Sequence, residues 1–338
     1  MHALSRRPPP APPLDLLPVE PLLPASWRHE AAPERCCFFN PSIATHDGGL
    51  ILAYRVVLPD LRRRIAICRL DHEYRVMPGS AVPLSDLLVD GGPWHADPRC
   101  CSFGGRLLLH FNNGNPNPND IFLVELDPAT LHPLGPCRTL VLDHPRSPVE
   151  KNWMFFAHDD ALYAVYSIAP HRVHRVELDG AGPVRCRSAH CTTWDSRGLS
   201  ARYGDPRGSA PPIRCGDLYY SFFHTRHRRP LATRLVNAAF RGQPLGAFTY
   251  GTGVYAFRAE PPFAPAWCSP GLLFEPPLRP RAERPALSPW NDSVLYVSGA
   301  ILDGDRWIVS AGAHTDGCAL LRFGHDDVLR AMHTVTTG

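Results

Sequence analysis

Gly104-Gly105-Arg106-Leu107-Leu108-Leu109-His110-Phe111 is the stretch that decides the fold, because a two-glycine turn leads directly into an apolar, β-rich run. A second run of the same kind, Ile121 to Leu126, follows it. Two such runs joined by a short connection predict an antiparallel hairpin. This hairpin fits the middle of a four-stranded β unit.

The same pattern, a Gly or Asp turn followed by an alternating or β-rich run, recurs along the chain. Its copies begin at Asp47-Gly48-Gly49-Leu50, Gly104-Gly105-Arg106-Leu107, Asp159-Asp160-Ala161-Leu162, Cys215-Gly216-Asp217-Leu218 and Asp303-Gly304-Asp305-Arg306-Trp307. The first four are spaced by roughly 56 residues, and a fixed period in this range indicates a propeller or another repeat array. We therefore predict an all-β fold, a five-bladed β-propeller formed by residues 31–338.

Proline determines the character of residues 1–30. It interrupts each short Leu run from Pro8 to Pro24, which predicts an extended arm of polyproline II type with Leu anchors. In the rest of the chain, the 38 prolines and 26 glycines of the protein cut most windows before a helical apolar face can repeat. The Pro-rich segment from Pro261 to Pro289 predicts loop with one or two strands.

The composition is that of a soluble globular protein with a formal net charge of +3. No apolar run is long enough for a signal peptide or a membrane span, so we expect a cytoplasmic protein. Eleven cysteines, an odd number that includes two adjacent pairs, predict free thiols rather than disulfides. Neither a CxxC nor an HExxH motif occurs, so the sequence gives no support for a metal site.

Lys151 is the only lysine of the chain, and every other permanently cationic side chain is an arginine. An ammonium group is a compact point charge, whereas a guanidinium group is a planar fork. A single retained lysine therefore predicts a site that requires the compact charge. The alternative is that an Arg-rich composition left one lysine by chance.

Short polar motifs precede each repeated run by roughly ten residues. A constant offset of this kind is expected for equivalent positions in successive repeats. The motifs are Phe39-Asn40-Pro41-Ser42, His95-Ala96-Asp97-Pro98-Arg99, Glu150-Lys151-Asn152-Trp153, Pro206 to Pro212, and Val297-Ser298-Gly299-Ala300. In a propeller this offset belongs to the innermost strand or to the loop that enters it. Charged residues at equivalent inner positions are hard to explain as packing. The pattern predicts a polar central pocket.

The chain resembles glycoside hydrolase family 130 in the order of these motifs. That family comprises the five-bladed mannoside phosphorylases, and the related mannosyltransferase/phosphorylase enzymes share the same fold. The resemblance rests on Asn40-Pro41, Tyr54-Arg55, Asp97-Pro98-Arg99, Glu150-Lys151-Asn152-Trp153, Arg207-Gly208 with Pro211-Pro212, Tyr220 to His224, and Ser298-Gly299-Ala300. It spans Phe38 to Phe323 and leaves the Pro-rich arm outside. It implies an enzyme that transfers a glycosyl unit, with mannose as the favoured sugar.

The resemblance also implies a role for each site residue. Asp97 would be the general acid that protonates the glycosidic oxygen through a sugar hydroxyl, while phosphate attacks the anomeric carbon with inversion. The phosphate, or the diphosphate of a nucleotide-sugar donor, would be bound by Arg55, Arg99, Lys151, Arg207 and His224. The sugar would be contacted by Asn40, Glu150, Asn152, Trp153, Tyr255, Glu260 and Asp316. No cofactor is implied beyond phosphate or a nucleotide sugar as co-substrate.

Two departures from the family pattern affect the substrate more than the fold. The family usually has Glu immediately before the Asp-Pro-Arg motif, where this chain has Ala96. In the last repeat, the family usually has a Tyr-Gly motif, which is missing from residues Ser310 to Asp316 of this chain. We therefore expect the acceptor side of the pocket to differ.

Three functions remain open at this stage. The first is the glycosyl-transferring enzyme, favoured because several cations suit phosphate better than a hydrolytic acid of raised pKa. The second is a glycoside hydrolase, which needs a second carboxylate across from Asp97, with Glu150 or Glu260 as candidates. The third is a non-catalytic carbohydrate-binding propeller.

Structural explanations stand beside the functional ones for single residues. Asp97-Pro98 is a common turn opening, Arg99 could be its solvated partner, and Trp153 and His224 could be core residues. The run Arg226-His227-Arg228-Arg229 is interpreted as a solvated loop rather than a nucleic-acid site. We expect an oligosaccharide or sugar phosphate as partner, no nucleic acid and no membrane, and leave homo-oligomerisation open.

Overall fold

The computed structural model describes residues 13–114, 119–241, 246–274, 294–313 and 317–337. The fold is mainly β, with short helices between the sheets. Among the described residues, no helix is long and apolar enough to cross a membrane.

The strands are, in chain order, β1 (Asp15–Leu16), β2 (Cys37–His46), β3 (Gly49–Val57), β4 (Arg63–Leu70), β5 (Ala96–Phe103), β6 (Arg106–Asn112), β7 (Ile121–Leu126), β8 (Arg138–Leu142), β9 (Met154–His158), β10 (Ala161–Ser167), β11 (His171–Glu177), β12 (Val184–Thr192), β13 (Arg207–Gly208), β14 (Ile213–Cys215), β15 (Leu218–Arg228), β16 (Phe248–Arg258), β17 (Pro265–Cys268), β18 (Leu295–Asp303), β19 (Arg306–Ala313), β20 (Gly317–Gly324) and β21 (His333–Thr334). The helices are α1 (Leu84–Leu87), α2 (Arg197–Tyr203), α3 (Leu231–Arg241) and α4 (His325–Ala331). Short 3-10 turns occupy Glu20–Leu22, Ala25–Trp27 and Pro33–Arg35.

The sheets are built from antiparallel meanders that follow the chain order. Strands β2-β3-β4 form one sheet, and β18-β19-β20 with β1 form another. The meanders β5-β6-β7-β8 and β9-β10-β11-β12 are joined into an eight-stranded sheet by parallel pairing of β8 with β12. The remaining sheet has the order β13-β15-β16-β17-β21, with β14 also paired to β15.

The hairpin turns lie where the sequence repeat predicts them. Each joins two antiparallel strands through two residues, and the first of these has a positive φ. These first turn residues are Asp47, Gly104, Asp159, Gly216 and Gly304. Gly adopts this conformation without steric cost and Asp tolerates it, which explains why the turn signal is visible in the sequence. The hairpin of β6 with β7 is also confirmed.

The N-terminal arm differs from the predicted polyproline II segment over the residues that the structure describes. Asp15 and Leu16 pair with β20, so the start of the chain extends the sheet formed near its end. Leu22 and Trp27 are buried in 3-10 turns and pack with the core of the β2-β3-β4 sheet. The hydroxyl of Tyr54 donates a hydrogen bond to the carbonyl oxygen of Leu22. Residues 1–12 lie outside the described part.

Three further sequence predictions can be compared with the structure. The weak helical signal missed α3, which forms in the stretch after Pro230 that contains neither Pro nor Gly until Gly242. One strand, β17, lies in the Pro-rich segment after Pro261, of which residues 275–293 lie outside the described part. All eleven cysteines are free thiols, and most are buried, as their odd count predicted.

Candidate functional site

The predicted inner positions carry an unusual backbone conformation. Asn40, Asp97 and Asn152 have φ values of 53°, 53° and 66°, in the left-handed region. At the first two positions the register of the strand pair shifts, because Pro41 and Pro98 lack the N–H that a regular ladder needs. A β-bulge of this kind re-aims a side chain. The bulges at the Asn-Pro and Asp-Pro motifs therefore redirect the Asn40 and Asp97 side chains away from the regular alternation of the sheet.

Two glycines allow neighbouring sheets to approach at this point. A Cβ atom at Gly208 would overlap the carbonyl oxygen of Asn152. A Cβ atom at Gly312 would lie 2.8 Å from the backbone nitrogen of Asn40. Since real Cβ atoms do not come so close to backbone, only glycine permits this spacing. The inner strands can thus bring polar side chains from different sheets together.

A cavity of about 240 Å³ lies where these strands meet. Every sequence repeat contributes to its wall. The lining residues are Asn40, Arg55, Asp97, Lys151, Asn152, Arg207, His224, Arg226, Tyr250, Val294 and Tyr296. The structure therefore brings together most of the residues that the sequence proposed for acid catalysis and anion binding, around a polar cavity.

Asp97 is the carboxylate of this cavity. Its Oδ1 accepts hydrogen bonds from Asn40 Nδ2 at 2.5 Å and from Arg55 Nη1 at 3.2 Å. Oδ2 accepts none from any described residue. Burial alone would raise the pKa of Asp97, but the charges of Arg55 and Arg99 outweigh burial and the pKa lies below its usual value. The hydrogen bond from Asn40 and the charge of Lys151 act in the same direction.

Arg55 is held from two sides. Its guanidinium carbon lies 3.7 Å from the centroid of the Phe39 ring, a cation–π contact, while Nη1 is paired with Asp97. Burial lowers the pKa of Arg55 to about 10, although Asp97 opposes this shift. Its Nε is buried without a hydrogen-bond partner among the described residues. Arg55 is thus committed mainly to orienting Asp97.

Arg99 is only 1% exposed and is not among the residues that line the cavity. Its Nε donates to the carbonyl oxygen of Ser209 at 2.6 Å, and its Nη2 donates to the hydroxyl of Tyr296 at 3.0 Å. The sequence proposed Arg99 as a phosphate ligand. The structure instead places it outside the cavity lining, as a buried charge bonded to Ser209 and to the lining residue Tyr296.

Tyr296 was missed in the sequence because it lies one residue before the motif Val297-Ser298-Gly299-Ala300. Its hydroxyl accepts from Arg99 and donates to Asn152 Oδ1 at 2.9 Å. Burial raises the pKa of Tyr296 to about 12. Tyr296 therefore stays a neutral hydroxyl that links two walls of the cavity.

Three cations line the cavity in addition to Arg55. The side chains of Lys151 and Arg207 are exposed and form no hydrogen bond or ion pair with any described residue. Arg226 stacks on Phe248 with its guanidinium carbon 3.7 Å from the ring centroid. Partial desolvation lowers the pKa of Lys151 despite the opposing charge of Asp97, and the positive charges of Arg207 and Arg226 add to the shift. The cavity therefore has an excess of positive charge.

Arg226 corrects a sequence interpretation. The run from Arg226 to Arg229 was interpreted as a solvated loop, but its first three residues belong to β15. Alternate residues of a strand share a face, and His224 and Arg226 both line the cavity. The missed signal was the continuous β-rich run from Tyr220 into the charged residues, which contains neither Pro nor Gly before Pro230.

His224 is a buried histidine, 3% exposed, on the wall formed by β15. Its Nδ1 lies 2.7 Å from Ser209 Oγ, and its ring centroid lies 4.6 Å from that of Tyr296. Burial, together with the nearby charge of Arg99, lowers the pKa of His224 to about 3. The imidazole is therefore neutral near pH 7 and can bind a ligand only as a hydrogen-bonding group.

Glu150 and Trp153 do not line this cavity. The Glu150 carboxylate accepts hydrogen bonds from the Ser147 backbone, from Tyr166 and from Trp153 Nε1. Both residues line a second cavity of about 310 Å³ beside β7 and β8. The sequence grouped Glu150 and Trp153 with their neighbours Lys151 and Asn152. In the structure, Lys151 and Asn152 line the first cavity, whereas Glu150 and Trp153 line the second.

The remaining proposed sugar ligands are not brought together with Asp97. Tyr255 is fully buried in the core, where its hydroxyl lies 3.4 Å from His171 Nε2. Glu260 is exposed in the turn after β16. Asp316 lies outside the described residues. Within the described part of the chain, no group of three His, Cys, Asp or Glu residues is placed to hold a metal ion.

No protein-family profile matches this sequence, and the comparison with curated proteins finds no match. Solved structures do match along most of the chain. β-1,2-Mannobiose phosphorylase from Listeria innocua, in complex with β-1,2-mannobiose, has a TM-score of 0.58 at 14% identity and covers 94% of this chain and 98% of its own.

Two more structures match over similar lengths. One is described with the GH130 family of mannoside phosphorylases, which contains glycoside hydrolases that target β-1,2-mannosidic linkages in Candida mannan; it has a TM-score of 0.56 at 10% identity and covers 96% of each chain. The chain has the glycoside hydrolase family 130 fold. A mannose phosphorylase from Leishmania mexicana in complex with a phosphate ion shares this fold, with a TM-score of 0.52 at 11% identity over 90% of this chain and 88% of its own. The resemblance inferred from the ordered motifs is thus confirmed for the family 130 fold.

Proposed function

We propose that the chain is a carbohydrate-active enzyme of glycoside hydrolase family 130 that transfers a mannosyl unit with inversion, by phosphorolysis of a mannoside or the reverse reaction. The observation that carries the proposal is the composition of the central cavity. It combines the carboxylate of Asp97 with cations that have no anionic partner among the described residues.

The arrangement around Asp97 supports its role as general acid. Asn40 and Arg55 both bind Oδ1, which leaves Oδ2 available to carry a proton toward a substrate hydroxyl. In the empty cavity the surrounding cations favour the anionic carboxylate. A bound phosphate dianion offsets that positive charge, so the proposed co-substrate itself would raise the pKa of Asp97 toward the protonated form.

The cations suit a phosphate nucleophile. Lys151, Arg207 and Arg226 line the same cavity as Asp97, and a phosphate carries enough oxygen atoms to accept from several of them. Phosphate oxygen then attacks the anomeric carbon while the glycosidic C–O bond breaks and the proton from Asp97 reaches the leaving oxygen. A β-mannoside gives α-mannose 1-phosphate and the shortened acceptor.

The hydrolytic alternative requires a second carboxylate that activates water across the sugar from the acid. Of the described residues that line the cavity, Asp97 is the only one with a carboxylate. The two candidates from the sequence lie elsewhere, since Glu150 lines the second cavity with both oxygens engaged in hydrogen bonds and Glu260 is exposed after β16. Phosphorolysis needs no such base because phosphate is already a nucleophile.

We also propose that the repeats are the five blades of a β-propeller. The support is that each repeat begins with a hairpin of the same geometry and that residues from all of them line one cavity. The closing strand of the last blade would be β1, which pairs with β20.

The test is to incubate the protein with α-mannose 1-phosphate or GDP-mannose and a panel of manno-oligosaccharide acceptors. We expect an extended sugar and released phosphate with α-mannose 1-phosphate, and a strongly reduced rate of product formation with Asp97→Asn. Release of GDP would instead assign a nucleotide-sugar donor. Free mannose released from mannosides in buffer without phosphate would assign hydrolysis, and binding of mannosides without any turnover would leave a carbohydrate-binding propeller.

A further inference from the structure

Ser209 and His224 form a buried pair on the wall of the central cavity. Ser209 follows β13, and its side chain meets the ring of His224 across the pairing of β13 with β15. Ser209 Oγ lies 2.7 Å from His224 Nδ1, and Ser209 is fully buried. His224 lines the cavity, and its other ring nitrogen, Nε2, has no partner among the described residues.

We propose that Ser209 is a positioning residue that holds His224 in the tautomer with its proton on Nε2, so that His224 presents an N–H donor to an anionic ligand in the cavity. The assignment of the ligand rests on the proposed function. The assignment of the tautomer rests only on the hydrogen bonds of Ser209 and His224.

The hydrogen-bond inventory decides between the two tautomers. A neutral imidazole has one donor nitrogen and one acceptor nitrogen, and a serine hydroxyl has one proton to donate. If Nδ1 carried the proton, it would donate to Ser209 Oγ, and the hydroxyl proton of Ser209 would have no acceptor among the described residues. A buried donor without an acceptor is costly. If the hydroxyl donates to Nδ1, both groups are satisfied and the ring proton lies on Nε2, the nitrogen left to the cavity.

The surroundings make this arrangement rigid. The carbonyl oxygen of Ser209 accepts from Arg99 Nε at 2.6 Å, and its backbone N–H lies 3.1 Å from Met154 Sδ. The ring of His224 packs against Tyr296. Because the backbone of Ser209 and the plane of the imidazole are both fixed, the tautomer is set by one hydroxyl group.

The direct test is ¹⁵N NMR of the full-length protein labelled at histidine, near pH 7, with His224→Gln used to assign the His224 signals. We expect Nε2 to be the protonated nitrogen in the wild type. Ser209→Ala should abolish the preference for this tautomer, and Ser209→Thr, which keeps the hydroxyl, should retain it. A wild-type protein protonated at Nδ1 overturns the proposal whatever the enzyme does.

Phosphate binding tests the consequence for the ligand. Ser209→Ala should weaken the binding of inorganic phosphate about tenfold, measured by titration calorimetry, since one donor to a charged ligand is no longer oriented. A glutamine amide nitrogen can occupy the place of Nε2–H, so Ser209→Ala should have no further effect in the His224→Gln background. An equal loss in both backgrounds would show that the Ser209 hydroxyl acts independently of His224, which overturns the positioning role.

Failure of the proposed function can be distinguished from failure of this inference. If the wild type binds no phosphate, the proposed function and the ligand assignment both fail, while the NMR result still decides the tautomer. Thermal unfolding of each variant shows whether it is folded, and the wild-type spectrum decides the tautomer if Ser209→Thr or Ser209→Ala does not fold.

Discussion

The central cavity around Asp97 and the second cavity around Glu150 each contain a largely buried carboxylate, yet the two groups are engaged very differently. Asp97 receives two hydrogen bonds on one oxygen and keeps the other available, among cations that have no anionic partner of their own in the described chain. Glu150 receives hydrogen bonds on both oxygens, from Ser147 and Tyr166 on one and from Trp153 on the other.

The difference shows how to separate a reactive acid from a structural one. A carboxylate whose lone pairs are used by its own loop stabilises that loop, because removing the acceptor would leave buried donors without partners. Asn119 strengthens the same loop, since its side chain bonds both the backbone N–H and the carbonyl oxygen of Glu150. A carboxylate held on one side only is oriented but not consumed. Asp97 thus keeps one oxygen free for a substrate, whereas both oxygens of Glu150 are already engaged.

The largest expected effect is on turnover in Asp97→Asn. The amide keeps the shape of the side chain but cannot donate an acidic proton, so mannosyl transfer should fall by about 10²–10⁴-fold. Sugar binding should change little. Initial rates with α-mannose 1-phosphate and calorimetric binding of a mannoside measure the two quantities separately. A variant that keeps more than a tenth of the wild-type rate would remove Asp97 from the role of acid.

The matching substitution at the other carboxylate, Glu150→Gln, should act on stability. The amide brings an N–H₂ group among donors that already point at the site, so we expect a loss of about 1–3 kcal/mol in the free energy of unfolding. Urea unfolding measures this loss. The control is Glu125→Gln, whose carboxylate is paired with Arg106 near the surface and should contribute less than about 1 kcal/mol. Unchanged stability with lost turnover in Glu150→Gln would erase the distinction between the two regions.

The sequence predicted the hairpins because each depends on a local rule. The turn residues Asp47, Gly104 and Gly216 occur where φ must be positive, and that requirement is visible in a single sequence. Helix α3 was missed because the overall abundance of Pro and Gly hid one stretch without either. The packing of Leu22 and Trp27 into the first sheet was missed because it depends on distant strands.

The site was predictable to the extent that it follows the repeat. Asn40, Asp97 and Asn152 occupy equivalent places before their hairpins, and all three line the cavity. Repeat position does not tell which way a neighbouring residue faces, so the interpretation of Glu150 as a sugar ligand had no means of separating it from Lys151. Tyr296 was missed because it lies just outside its motif and because its contact with Arg99 joins residues far apart in the chain.

The next effect tests whether the single lysine matters as a compact charge in the Asp97 cavity. Lys151→Arg should weaken the binding of inorganic phosphate about tenfold despite the retained charge, because a planar fork does not occupy the position of an ammonium group. Calorimetric titration with phosphate measures this change. Arg187→Lys, at an exposed ion pair with Glu177, is the matched exchange elsewhere and should leave phosphate binding unchanged. Wild-type affinity in Lys151→Arg would mean that the lysine survived by chance.

The smallest expected effect is on the pH dependence of stability, and it tests how the cavity holds Asp97 before substrate arrives. The pKa of Asp97 is lowered by folding, so its carboxylate adds stability above the unfolded pKa of about 4, and this contribution is lost as the pH falls through the lower folded value. The difference in unfolding free energy between the wild type and Asp97→Asn should therefore shift against the wild type as the pH falls from 6 to 3.

The slope of that difference is the measured quantity, because the substitution also adds an offset that does not depend on pH. Urea unfolding at several pH values gives the slope, and a difference that is constant or shifts in favour of the wild type at low pH would contradict the assigned environment of Asp97. With phosphate bound, the shift should become smaller, since the anion offsets the cations that hold the carboxylate ionised and brings its folded pKa closer to the unfolded value. An undiminished shift under saturating phosphate would place the anion away from Asp97 and separate the acid from its proposed co-substrate.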